Sequence, residues 1–547
     1  MTVTENQSDN TPGSKYIDSR CIVEFRPTDD WQGQYGFDWF RRGEDSIIDS
    51  SDYRMIVGKY IPKAPYKGEQ INFKRFAKLN DKGEGVESVN KNKADDCLDK
   101  LCKEYPIRTI KGVRNYFVPY ISLFYENPKV KNDEWGLSEA TVKLLIDISN
   151  INIITYDNQI AHSSNIRRIF FKCEKGVSVC STPGTTVTED GRNSYYIELD
   201  DMSTDSNGKK HWDKEVKIKV TSKSGDEERD INVYAQTREE AENGLQGSFA
   251  GKVKVVCKEP THIKVCFVKV KIEKDEDQTN VGDSKNNDQY QSIQGTFDEK
   301  GQLRQFLSQA WIIPDIIDKD VCFEEDELNE FWAFDNNNST ETPSNKCLHR
   351  REDDLIEKFI EKFKLTNFTD GFKIFMVDEN GLSGGAHINW SEYHSDININ
   401  AFFKGYLIGY FDGKMNGYFD GAVINRYYRD HINCYFEGNI EGVLSGYTGT
   451  ISYNSKEYYG IEGHAYQSEH SKHKDYNNKS AIIFRNNNKS TIAHELLHCL
   501  GLVHSFENNS KHTFKKYETP NIMDYSYNKY SLWHWQWKKM RGEEEKK

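Results

Sequence analysis

The sequence predicts a multidomain protein in which all-β sandwich modules precede an α+β domain. Three observations carry this. The chain has 547 residues, room for about three or four domains at roughly 100–200 residues each. Its middle is a series of short segments that alternate apolar and polar residues, the period-two pattern of half-buried strands. Beyond residue 293 the pattern changes to runs with helical spacing, and a short apolar strand there leads directly into a helix.

Taken in order, residues 1–15 carry no basic or apolar leader pattern and are expected to be a disordered tail. Residues 16–126 mix strand-like runs with turns, CIVEF (21–25) and NYFVPYISLFYE (115–126) being the clearest. In WQGQYGFDWF (31–40), Trp31, Tyr35, Phe37 and Trp39 are expected to pack a small β core rather than to bind a ligand. Residues 127–272 contain TVKLLIDIS, INIITYD, RRIFFKCE, SYYIELDD, EVKIKVTS, DINVYAQ, GKVKVVCKE and HIKVCFVKVKI, separated by Gly, Asn, Asp and Ser turns. So many alternating strands predict an Ig-like β-sandwich region, with nothing resembling a catalytic constellation.

Residues 273–292 are polar throughout and are expected to be a linker. From 293 to 547 one α+β domain is expected. LRQFLSQAWIIPDII carries helical spacing, as do Leu355, Ile356, Phe359, Ile360 and Phe363 on one face of a second run. FKIFMVDE (372–379) predicts a buried strand. GYFDG occurs at 409–413 and 417–421 and is expected to mark hairpin turns, a calcium or substrate loop being the lesser reading. AIIF (481–484) predicts a short strand. Ser490 is placed to cap a helix starting at Thr491, and Gly501 to end it in the left-handed conformation.

Composition excludes whole classes of function. Lys and Arg number 73 against 86 Asp and Glu, a net charge of −13, which argues against a nucleic-acid binder needing a basic face. Aromatics at 13% exclude a disordered polyanion, and no apolar run approaches the ~20 residues of a membrane span. The 11 cysteines include no C-x-x-C pair and several sit in strand-like runs, so buried reduced thiols are expected rather than a disulfide framework.

The helix after AIIF carries the chemistry: H-E-L-L-H-C-L-G-L-V-H, with His494, Glu495, His498 and His504. His494 and His498 are one helical turn apart, so both imidazoles project from one face. Zinc takes nitrogen ligands in near-tetrahedral array, and a catalytic site keeps one position open for water. The turn at Gly501 lets His504 swing back as third ligand. Glu495 lies beside the first ligand but points elsewhere, placed to move protons between an attacking water and a leaving amine. For this composition, chance produces such a string about 6 times per 100,000 chains.

This pattern resembles the metzincin clan of zinc metalloproteases, which also place a tight Met-turn beneath the metal. Here NIMDYS (521–526) follows the third histidine. The resemblance implies Met523 as the Met-turn residue, an apolar floor that does not coordinate. It implies Tyr525 as a residue that approaches the metal or stabilises an oxyanion, with a packing tyrosine as the equal alternative. SLWHWQWKKMR (531–541) is the closing helix expected after such a turn. The resemblance also implies that a peptide adds to an edge strand above the metal helix, for which 422–425 and 481–484 are the candidates. Specificity is then expected from residues between His504 and Met523. His464, His470 and His473, with Glu469, and His387 and His394, with Glu392, are expected to be solvated loop residues, since their spacing matches no usual ligand set.

YGFDWFR (35–41), VPYISLFYEN (118–127), the β-rich middle and the WHWQW ending are together similar to uncharacterised multidomain proteins of Bacteroidota, some accompanying contractile or type VI-like secretion systems. These resemblances imply a zinc endopeptidase acting on a protein or peptide, exported without a cleaved signal or held latent in the cytoplasm, with a secretion apparatus as possible partner. The alternative is a secretion cargo or adhesin whose β modules carry the main function.

Overall fold

In the computed structural model of the protein, the residues described are 16–17, 21–43, 51–62, 70–75, 77–79, 85–87, 96–110, 115–125, 129–130, 133–134, 137–147, 166–191, 193–199, 203–204, 210–222, 227–273, 299–334, 346–349, 354–364, 371–377, 381–385, 397–419, 422–445, 457–461, 463–465, 480–484, 490–526 and 528–543. Among them the protein is mostly β, in several sheets, with an α+β region toward the C-terminus. Two units result, each discontinuous in sequence: 1–263, 299–315 and 500–547 in one, 264–298 and 316–499 in the other.

The first unit is built on two sheets. One has the order Thr188–Glu189, Ser194–Glu198, Ile166–Cys173, Glu227–Thr237, Ser248–Cys257, Tyr120–Leu123, Gly36–Asp38; the other runs Val177–Cys180, Lys210–Val220, Glu139–Asp147, Ile22–Pro27. Alternate residues of both point into one apolar core: Val23 and Phe25, Val142 and Leu144, Ile169 and Phe171, Ile231 and Val233, Val253 and Val255. Each such side chain contributes about 1.5–3 kcal/mol when fully buried. Trp31, Tyr35, Phe37 and Trp39 belong to the same core, Phe37 meeting Trp39 edge-on at 5.5 Å.

The expected boundary at 126/127 does not separate two modules. Ile22–Pro27 pairs antiparallel with Glu139–Asp147, and Tyr120–Leu123 pairs parallel with Ser248–Cys257. Without these early strands both later ones would present an unpaired backbone edge. Cys173 and Cys257 are buried at the ends of Ile166–Cys173 and Ser248–Cys257. INIITYD and the tail 1–15 lie outside the described residues.

The C-terminal segment joins this unit instead of closing a self-contained domain from 293. Asn508 brackets the Tyr60 backbone, its Nδ2 donating to Tyr60 O (2.7 Å) and its Oδ1 accepting from Tyr60 N (2.9 Å). Trp533 Nε1 donates to Tyr53 Oη at 2.7 Å. Gln309 donates to Tyr530 O at 2.8 Å and accepts from Leu532 N at 2.9 Å. Gly33 has φ +86°, and a Cβ there would lie 2.2 Å from Tyr530 O, so only glycine permits the approach. Within SLWHWQWKKMR only His534–Met540 is helical, with Trp535 and Trp537 buried. Its apolar surface is too large for one short helix to shelter alone.

Asp38 receives hydrogen bonds from His534 N (2.9 Å) and Tyr105 Oη (2.8 Å) in this seam. Burial nevertheless pushes its carboxyl from 3.8 up to about 7, outweighing those bonds and the nearby Arg41. A carboxyl whose folded pKa is raised stabilises the fold below its unfolded pKa and loses that contribution as pH rises through the folded one. Stability attributable to Asp38 should therefore fall between pH 4 and 7, by about 4 kcal/mol at most. His512 and His534, both held down by burial, give the opposite slope. Denaturant titrations of the native protein and Asp38→Asn across this range isolate the carboxyl: their stability difference should shift in the variant's favour as pH rises. A pH-independent difference would refute the assignment.

The second unit contains a mixed sheet ordered Ile312–Glu324, Thr261–Glu273, Phe372–Val377, Ser480–Ile483, Gly463–Ala465. Thr261–Glu273, expected in the sandwich, is the strand paired parallel to Phe372–Val377. Its stretch 265–268 is buried without interruption, the pattern of a strand covered on both faces rather than one. The expected linker thus falls between this strand and the helix Glu299–Ser308; residues 274–298 lie outside those described. LRQFLSQAWIIPDII is helical only to Ser308 and becomes a strand at Ile312. Trp311 turns the chain with φ 56°, and a continuing helix would have placed Pro314 in its interior. The helix Asp354–Lys364 buries Leu355, Ile356, Phe359, Ile360 and Phe363 against Phe375, Val377 and Ile482.

The first GYFDG copy does not mark a turn. It lies inside the strand Ile397–Phe419, which forms a long hairpin with Ala422–Ser445. Asp412 is in register with both Arg429 and Val443, so the hairpin folds back on itself. In the second copy Phe419 is in register with Ala422, and residues 420 and 421 lie outside those described.

Candidate metal centre

Ser480–Ile483 is buried throughout and lies between Phe372–Val377, parallel, and Gly463–Ala465, antiparallel. The helix Thr491–Cys499 follows and packs on these three strands. Its first bond runs from His494 N to Ser490 O at 2.9 Å. Ile492, Ala493, Leu496 and Leu497 are buried, fixing the helix in rotation. Gly501 then adopts φ +88° with open space about its Cα. Glycine is needed there for its backbone freedom rather than for room.

One group of metal-ligating type is found among the described residues: His494, His498 and His504, whose ligand atoms lie within 4.8 Å of one another. The Nε2 atoms of His494 and His498 are 3.2 Å apart, with ring planes at 88°. Two imidazoles on a tetrahedral zinc at 2.0–2.1 Å have nitrogens about 3.3 Å apart. The residues present therefore fit such an ion. His494 is buried and the other two are half-buried. Glu495 is buried on the same helix.

His504 is oriented by neighbours that the sequence reading did not single out. Its Nδ1 lies 2.5 Å from Glu507 Oε1, leaving Nε2 for a metal and making the imidazole a stronger donor. The H-x-x-E spacing was visible, but only the turn brings the two side chains together. His504 also stacks on Phe506 at 4.8 Å. Glu507→Gln should weaken zinc binding about 10–100-fold, measured by competition with a chromophoric chelator; unchanged affinity would remove Glu507 from the site.

Met523 is fully buried in a tight turn closed by Asp524 N to Asn521 O at 2.9 Å. Its carbonyl accepts from Ser505 N at 2.9 Å, tying the turn to the residue after His504. Asn521 Oδ1 accepts from Met523 N, and its amide donates to Gln536 in the closing helix. Asp524, another residue not anticipated, gathers Tyr517 N, Thr519 N, Thr519 Oγ1 and Tyr525 N. Tyr525 is partly exposed and meets the His504 ring edge-on at 4.9 Å.

Of the two edge-strand candidates, 481–484 is overturned, because Ser480–Ile483 has a partner on each side. The other, 422–425, belongs to the long hairpin. Among the described residues, the strand at the end of this sheet beside the helix Thr491–Cys499 is Gly463–Ala465. His387, His394, His470 and His473, with Glu392 and Glu469, lie outside the described residues; His464 is in the edge strand.

Fold and site together define a mostly β protein with a three-histidine group able to hold a metal ion. No protein-family model matches the chain, and no curated protein matches it either. Among solved structures, the major pilin subunit BcpA of Bacillus cereus is similar over 27% of this chain and 40% of its own, at 12% identity and TM-score 0.14. The N-terminal domain of PorA is similar over 25% and 85%, at 9% identity and TM-score 0.13. A family 123 glycoside hydrolase from Clostridium perfringens is similar over 24% of each chain, at 15% identity and TM-score 0.10. Likenesses this low carry no argument about function. No described helix is long and apolar enough to cross a membrane.

Proposed function

We propose that this protein is a zinc-dependent endopeptidase with a metzincin-like α+β region, its Ig-like sandwich serving to target or tether the enzyme. The observation that carries this is the convergence of His494, His498 and His504, with Glu495 buried on the helix that supplies the first two. A bound zinc would supply a Lewis acid and lower the pKa of a water to about 7.

The chain's own residues do the rest. Glu495 accepts a proton from the attacking water and returns it to the leaving amine, a role worth about 10²–10⁴ in rate. The edge strand Gly463–Ala465 offers its outer backbone edge to an extended peptide, aligning it along the helix that carries Glu495. Glu507 holds His504 in one tautomer. Met523 fills the space beneath, and Tyr525 steadies charge on the carbonyl oxygen. A protein or peptide substrate follows from this chemistry. Export without a cleaved signal, with a secretion apparatus as partner, would keep such an activity away from the cell's own proteins.

Removing metal tests the reading. Cleavage of an unfolded protein substrate should stop on dialysis against a chelator and return with zinc. Cleavage that survives chelation would defeat it.

A further inference from the structure

Lys516 stands on three aromatic faces beside the third histidine. Its Nζ lies 4.7 Å from the ring centroid of Tyr525, 4.9 Å from Tyr517 and 5.0 Å from Phe506. Phe506 and Tyr525 pack on each other at 5.0 Å, and both touch the His504 ring. The backbone at Tyr517 is held at φ 69°, with its N–H on Asp524. Lys516 N donates to Tyr60 Oη at 2.7 Å. Ring and backbone contacts therefore fix where this ammonium sits.

The nearby acids are already engaged. Glu507 is on His504, Glu518 on Lys515, and Asp524 on its own loop. Among the described residues no carboxylate forms an ion pair with Lys516. Aromatic faces attract an ammonium but accept none of its N–H bonds as a carboxylate would. What results is a half-buried cation, held in place, with hydrogen-bonding capacity to spare.

We propose that Lys516 is a specificity-determining residue: it receives a carboxylate of the peptide lying next to the residue that sits at His504. This rests on the peptidase reading and names its substrate class, peptides with an acidic side chain or a free C-terminal carboxylate near the bond attacked. The two sources share one chemistry, a charge-assisted bond to an ammonium whose ordering cost is already met by the cage. The chain's net charge of −13 would repel such a peptide at long range, so any preference for it must come from a local cation.

The test measures binding, separately from turnover. Full-length zinc-loaded protein carrying Glu495→Gln is titrated with fluorescent peptides of one length. In the amidated set a single Glu, Ala or Lys is walked through every position; a second set has free C-termini. A Glu at one position, or a free C-terminus, should tighten binding about tenfold, one charge-assisted bond's worth. The gain should shrink with salt, vanish in Lys516→Met and Lys516→Gln, and persist in Lys516→Arg. Gain from Glu alone identifies a side chain as the source, and gain from the free terminus identifies chain-end recognition. Equal binding of every acidic and neutral peptide, no peptide binding at all, or a gain unaltered in Lys516→Met would overturn the proposal. Cleavage by the native protein is scored apart. Lys516-dependent binding without cleavage would defeat the peptidase reading and leave this site standing, and cleavage indifferent to acidic residues would do the reverse.

Discussion

Glu495→Gln should reduce peptide hydrolysis by about 10²–10⁴-fold while leaving bound zinc unchanged. The substitution keeps the shape of a side chain buried in the helix Thr491–Cys499 and removes only its ability to take up a proton. It does not touch the three nitrogens that face one another. Rate and metal content should therefore separate, the first collapsing and the second holding at one zinc per chain. A variant that loses its metal along with its activity would make Glu495 structural. A fully active one would place the proton transfer elsewhere.

Truncation should have an effect as large through a different cause. A chain of residues 264–547 retains His494, His498, His504 and Glu495, yet it should bind zinc far more weakly than the whole protein. The segment after the metal helix belongs to the unit formed with residues 1–263. Asn508 would lose the Tyr60 backbone, Trp533 would lose Tyr53, and His534 N would lose Asp38. Phe514, fully buried beside Tyr53 and Trp533, would become exposed. Exposing a large apolar side chain costs about 1.5–3 kcal/mol, and several such losses take up most of the roughly 5–15 kcal/mol that keeps a whole domain folded. His504 and the turn at Met523 should then lose their fixed places. Zinc titration of the truncated chain checks this: full affinity would show that the C-terminal segment needs no support from residues 1–263.

That expectation marks the limit of what the sequence revealed. The metal helix was legible because its signals are local: two histidines one turn apart, Ser490 before them and Gly501 after. The helix Asp354–Lys364 was legible for the same reason, its five apolar residues recurring at helical spacing. The strands of the sandwich were legible through their alternation. Their assembly was not, since no periodicity states that Ile22–Pro27 will seek Glu139–Asp147 rather than a strand of its own neighbourhood. Thr261–Glu273 was assigned to the wrong unit because its flanks alternate while its centre, 265–268, is buried on both faces. Glu507 and Asp524 were missed because each makes its contacts across a turn, where spacing along the chain does not forecast which side chains meet. Gly33 was equally silent: its necessity comes from Tyr530, about five hundred residues away.

Three histidines holding a zinc ion would leave a direct signature in X-ray absorption at the zinc edge of the purified protein. The expected spectrum has nitrogen and oxygen scatterers alone at about 2.0–2.1 Å, with imidazole outer-shell features from three rings. The same features should disappear from protein carrying His494→Ala, His498→Ala and His504→Ala together. A sulfur shell at about 2.3 Å, or a native spectrum that survives the triple substitution, would mean that these histidines do not hold the metal.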